Sequence, residues 1–140
     1  MKVCGIELKS NEARIIVLEG HNEDYEIIKT DLEKLKLIDS KDQAAVKSFR
    51  EAILDFFSYH DFDVIGIKER ITKGRFAGGA ISFKMEGLIQ TTDDKVVLVH
   101  NMSMKSTLKD VEIPINGIKK YQEEALRVSL FLLNKVHDVK

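Results

Sequence analysis

The chain is poor in the features that declare a protein's class outright. It has one cysteine, Cys4, in 140 residues, which excludes an internal disulfide framework and fits a reducing, cytoplasmic setting. Cys4 falls inside an apolar strand pattern and reads as a small core hydrophobe. There is one proline and no Pro/Gly/Ser-rich linker, low-complexity tract or solenoid-length repeat, so residues 1–140 read as one domain. No apolar run approaches the roughly 18 residues of a membrane span. The opening MKVCGIELK lacks the longer apolar stretch and small-residue cleavage site of a secretory signal. No CxxC, HExxH, GxSxG or Walker A pattern occurs.

Net charge is also small, −1, which gives no global pull toward nucleic acid. Its distribution is uneven. Residues 19–63 carry 6 Lys/Arg against 12 Asp/Glu, a balance of −6, while residues 64–109 carry 8 against 4, a balance of +4. A basic face built from the second stretch would meet phosphates locally on a near-neutral molecule. Solvated loop lysines are the plain alternative.

The hydrophobic periodicity outlines the elements. Runs at 2–8, 13–19 and 25–30 alternate or are rich in branched residues, and turn-length gaps separate them, which predicts three strands in an antiparallel meander. Ser40 and Gln43 form a capping-box pattern ahead of Val46, Phe49, Ile53 and Phe57, so a helix is expected over 42–59. A fourth strand is expected over 63–68, a second helix over 77–90, a fifth strand over 95–99 and a short helical turn over 102–110. A last helix over about 117–137 has Tyr121, Ala125, Val128 and Leu132 as its core stripe. VCGIE at 3–7 and VIGIK at 64–68 echo each other, as buried parallel neighbours do. The order β-β-β-α-β-α-β-α predicts an α/β fold with a mixed five-stranded sheet and helices on both faces. That order is the order of the ribonuclease H-like fold.

The residues that invite chemistry are carboxylates. Glu7 shares its strand face with Gly5 and Val3, so it projects from an apolar or small surface. Glu69 ends the fourth strand amid cations. If the first and fourth strands are parallel neighbours, both acids lie toward the carboxyl ends of the sheet, where open α/β sheets place ligands. On the last helix, Glu123 stands four residues before Arg127 and reads as a solvent-facing ion pair, whereas Glu124 borders the core stripe and is the better inward candidate. Plain readings stand beside these: a strand-edge glutamate for Glu7, salt bridges to Arg70 or Lys73 for Glu69, and a helix-start acid for Glu124. His100 follows the fifth strand, where a structural role competes with a metal or proton role. His21, His60 and His137 form no ligand spacing.

At these residues the chain resembles a known superfamily. VCGIEL resembles the opening strand of the RuvC-like resolvase branch of the ribonuclease H-like superfamily, which reads apolar-Gly-Ile-Asp. IKERITKGRFAGGAISFKMEGLIQ is similar to that branch's fourth strand, acid, basic loop and helix. QEEALRVSLF is similar to its closing helix, where an acid precedes Ala-Leu. Over nearly the whole chain, MKVCGIELK with KERITKGRFAGGA resembles a small bacterial family of about this length and of unknown function. ATPases and sugar kinases of a similar fold want a Gly-rich phosphate turn after the first strand, where this chain has LKSNEAR.

The resolvase resemblance implies a phosphodiesterase acting on nucleic acid with Mg²⁺ or Mn²⁺. Glu7, Glu69 and Glu124 would be its catalytic metal ligands, and Lys68, Arg70, Lys73, Arg75 and Lys105 its phosphate contacts. Two such ions activate a water and stabilise the leaving oxygen. The chain departs from the pattern twice. Glu7 stands where Asp is usual, one methylene longer, and Tyr121 stands where a fourth acid precedes the third by one helical turn. The departures keep open a second reading, a non-catalytic module of the same fold that binds nucleic acid or a protein partner. No membrane partner is expected, and a homodimer is left open.

Overall fold

Tight corners shape the first half of the molecule. Ser10 and Asn22 take positive φ of 54° and 43°, at the short turns that fold three consecutive strands back on one another. A computed structural model of the chain describes residues 1–70 and 79–135. These strands are β1 (Lys2–Lys9), β2 (Glu12–His21) and β3 (Asp24–Ile28), paired antiparallel in sequence order. A further strand, β4 (Lys34–Lys36), pairs with the first residues of β2 beyond the end of β3. It makes the sheet six-stranded rather than five-stranded, and at three residues it is too short to show an alternation in sequence.

The chain then crosses the sheet through α1 (Gln43–His60) and returns as β5 (Val64–Lys68), parallel to β1. After α2 (Ala80–Ile89) comes β6 (Val96–Val99), parallel to β5. The order across the sheet is β3-β2-β1-β5-β6. The helix α3 (Asn101–Thr107) leads through two 3-10 turns to α4 (Glu123–Lys135). No helix among the described residues is long and apolar enough to cross a membrane.

Two apolar layers sandwich the sheet. Cys4, Ile6, Ile65 and Ile67 pack with Phe49, Ile53 and Phe57 of α1 and Met85 of α2. On the other face Val3, Ile16 and Val64 pack with Ala125, Val128 and Leu132 of α4 and Met104 of α3. Alternation along each strand produces the division. Cys4 lies wholly buried, and burial pushes its thiol far above the ordinary range.

Two local expectations fail for identifiable reasons. The N-cap of α1 is Asp42, whose carboxylate accepts from the Ala44 amide at 3.4 Å. The Ser40–Gln43 pair stands off the cap because Asp42 lies directly against the first turn. α4 begins at Glu123 rather than near 117. The buried Gln122 holds the chain in a tighter turn: its side chain accepts from the Lys119 amide and donates to the Ile15 carbonyl, each at 3.1 Å. Tyr121 therefore precedes the helix, half-buried, and drops out of the core stripe, while Ala125, Val128 and Leu132 remain in it.

Candidate functional site

The site begins with two glycines. A Cβ on Gly5 would lie 2.2 Å from Ser129 Oγ and 2.4 Å from the Ala125 carbonyl, and one on Gly66 would meet Leu132 and Val128. The β1 backbone thus touches that of α4 almost directly, and the β5 backbone packs under α4 side chains. Gly5 pairs with Gly66 and Ile6 with Ile67. One further step of that register brings Glu7 opposite Lys68, on the face that α4 covers. The close approach also brings Glu124, the residue before Ala125, over the ends of both strands.

Lys68 occupies the middle of this arrangement. Its ammonium is 2.8 Å from Glu124 Oε1. Burial pushes the Glu7 carboxyl above its ordinary range; the Lys68 charge is the strongest pull back, and the Glu124 charge pushes it up again. Two arginines flank the set. Arg14, the cross-strand partner of Glu7, lies 3.8 Å from it and 2.7 Å from Glu12. Arg127 reaches Glu124 at 3.4 Å and Glu123 at 3.5 Å. The ion pair expected from the Glu123–Arg127 spacing is present. The Glu7 side chain is only 12% exposed, Lys68 23% and Glu124 31%.

Glu69 belongs to the opposite face. It follows Lys68 by one residue and stays in strand-like pairing through its amide, which donates to the Val99 carbonyl at 2.9 Å. Parity therefore sends its side chain toward α2. There its carboxylate meets the exposed His100 at 3.2 Å. Glu86 of α2 is close enough for the Glu69 charge to raise its carboxyl further, after burial and against Arg70. Arg70 Nε and Glu86 Oε2 are both buried without a hydrogen-bond partner among the described residues.

The structure thus brings Glu7 and Glu124 together and does not bring Glu69 to them. Of the expected phosphate contacts, Lys68 is committed to Glu124, Arg70 lies half-buried on the α2 face, and Lys105 is exposed on α3. Lys73 and Arg75 lie outside the described residues. Sequence reasoning missed the central place of Lys68 and the role of Arg14. The signal for Lys68 was the echo itself: aligning VCGIE on VIGIK places the lysine, not the following glutamate, opposite Glu7.

Two surface depressions meet at the start of α4. One is walled by Glu7, Lys9, Arg14, Lys120 and Tyr121. The other lies between α3 and α4 and includes Lys105, Lys109 and Arg127. Glu123 and Glu124 line both.

A family model described as a protein of unknown function, DUF3010, matches residues 1–131. The chain belongs to this family. No curated protein matches it in sequence. Among solved structures the DUF3010 chain is similar to that of Thermus thermophilus RuvC, at 13% identity and a TM-score of 0.78, over 99% of this chain and 96% of that one. It is also similar to T. thermophilus RuvC in complex with Holliday junction substrate, at 13% identity and a TM-score of 0.74, with the same coverage. At such identity the likeness concerns architecture, and the architecture is the ribonuclease H-like fold.

The donor set can be tested against the divalent ion that the sequence resemblance implies. Mg²⁺ needs several oxygen ligands in near-octahedral order. In the DUF3010 chain Glu7 and Glu124 lie near enough for their charges to act on each other, the third expected acid is across the sheet, and the Lys68 ammonium is hydrogen-bonded to Glu124 and acts on Glu7 through its charge. Among the described residues no group of three or more His, Cys, Asp or Glu comes together to hold a metal ion. The described residues do not fit the ion.

Proposed function

We propose that this protein is a ribonuclease H-like module that binds nucleic acid through the phosphate backbone and does not cut it. The observation that carries this reading is the Lys68 ammonium at 2.8 Å from Glu124 and beside Glu7. Lys68, with Arg14 and Arg127 beside the same acids, offsets most of their charge, so a polyanion passing over them does not meet two bare carboxylates. Exposed lysines stand on either side: Lys9 and Lys120 in one depression, Lys105 and Lys109 in the other. Each is free to release a counter-ion on meeting a phosphate. The likeness to T. thermophilus RuvC in complex with Holliday junction substrate supports a nucleic-acid partner. Arg70, Lys73 and Arg75 extend the same basic stretch of sequence and are assigned to phosphates in this reading.

The test is anisotropy titration of labelled four-way junction, duplex and single-stranded DNA across a salt series, beside a cleavage assay with Mg²⁺ and Mn²⁺. Binding should be salt-dependent, unaffected by chelator and without cleavage. Lys105→Ala should weaken binding on all sequences alike and lower the salt slope by about 1. No binding to any of the three at low salt would overturn the nucleic-acid part. Metal-dependent cleavage that disappears in Glu7→Gln would overturn the non-catalytic part and make Glu7 a catalytic ligand.

A further inference from the structure

The mismatch between the carboxylate pair and a metal ion has a specific cause, and that cause is reversible. We propose that Lys68 is a tethered counter-cation: its ammonium fills the role of a divalent ion between Glu7 and Glu124, and removing it opens that gap to Mg²⁺ or Mn²⁺. The inference stands whether or not the protein binds nucleic acid.

Three observations carry it. The first is placement. The register Gly5–Gly66, Ile6–Ile67 leads to Glu7 beside Lys68, and the contact of Gly5 with the Ala125 carbonyl and Ser129 fixes the start of α4 over them. The geometry belongs to the β1–β5 pairing and the close approach of β1 to the α4 backbone, and not to a mobile side chain alone.

The second is charge. Without Lys68, Glu124 keeps only an arginine that it shares with Glu123, at 3.4 Å. Glu7 keeps an arginine at 3.8 Å whose shorter contact, 2.7 Å, goes to Glu12, and the weaker pull of Lys9. Two poorly compensated carboxylates would then face each other in a part-closed site, where their repulsion is less screened than in water.

The third is donor chemistry. Both groups are hard oxygen donors, bidentate or bridging as required, and water can complete the shell of Mn²⁺ or Mg²⁺. With the lysine present, the ion would bring its charge against an ammonium held by the same carboxylate. With it absent, the ion relieves the repulsion.

The experiment compares the full-length wild type with Lys68→Met, which keeps an apolar stem and drops the charge, and with Lys68→Met/Glu7→Gln. Bound Mn²⁺ is counted by electron paramagnetic resonance, and melting is followed with and without Mn²⁺. The wild type should leave the free Mn²⁺ signal and its melting temperature unchanged. Lys68→Met should bind one Mn²⁺ at least about tenfold more tightly than the wild type, as expected for loss of one nearby charge, and should melt higher when the ion is added. The double variant should lose both effects. Should Lys68→Met fail to fold, Lys68→Gln takes its place; a variant that folds only with Mn²⁺ supports the proposal, and one that stays unfolded with Mn²⁺ overturns it. A wild type that binds Mn²⁺ at Glu7, or a folded Lys68 variant that gains no affinity, also overturns it.

Discussion

The carboxyl end of the sheet holds two pairs of acids, one on each face, and they are treated differently. On the α4 face, Glu7 and Glu124 are compensated by a lysine and two arginines, and β1 meets the helix backbone to backbone. On the α2 face, the Glu69 charge adds to burial in raising the Glu86 carboxyl while Arg70 opposes it, Glu69 meets an exposed histidine, and two buried polar atoms have no hydrogen-bond partner among the described residues. Strand parity alone decides which acid enters which environment. The contrast teaches that a carboxylate at the end of a buried strand is not by itself a ligand. What stands beside it in the next strand determines what it can hold.

The comparison can be broken, beginning where the largest effect is expected. Gly5→Ala should destabilise the protein by about 3 kcal/mol, measured by chemical denaturation, because its Cβ meets the Ala125 carbonyl and Ser129 on a helix that cannot give way. Gly66→Ala should cost only about 1 kcal/mol, since its nearest neighbour is a leucine methyl at 2.9 Å. Equal effects would mean that α4 is not rigidly seated.

The next test concerns sign. Glu124→Gln should destabilise by about 1 kcal/mol, because it leaves the Lys68 ammonium with only Glu7. Glu86→Gln, on the other face, should stabilise. Its carboxyl is raised by burial first and by Glu69 second. The stability tied to its protonated form is therefore fully present below the ordinary value of 4.5 and lost as pH rises through the higher folded-state value. The gain from Glu86→Gln should be seen at neutral pH and vanish in acid. It should amount to about 1–2 °C in melting temperature, because the group is half-exposed and screened. A melting point lowered at pH 7 would show that the α2-face acids are compensated after all.

Much of the architecture was legible in the sequence. The meander, the crossover, the parallel neighbours and the helices on both faces follow from runs such as ARIIVLE and from the change of period after Ser40. The echo VCGIE/VIGIK identified β1 and β5 as partners, and the position of Glu124 beside Val128 directed it inward. What was not legible followed from steps of a single residue. Glu69 was paired with Glu7 because both end a strand, yet in an extended chain one residue is a change of face. Tyr121 was counted into the last helix because its spacing from Ala125 suits one, while the buried Gln122 holds that segment in a tighter turn. β4, three residues long, carries too little pattern to be read.

The pairing of β1 with β5 has a consequence in time. The Lys2 amide bonds Asp63 across a separation of 61 residues, and Glu7 meets Lys68 across the same span. During synthesis, β1, β2 and β3 leave the ribosome with one side of β1 open, and they wait there until β5 emerges. Glu7 spends that interval without its lysine. Arg14, on the neighbouring strand, is the cation that answers it first.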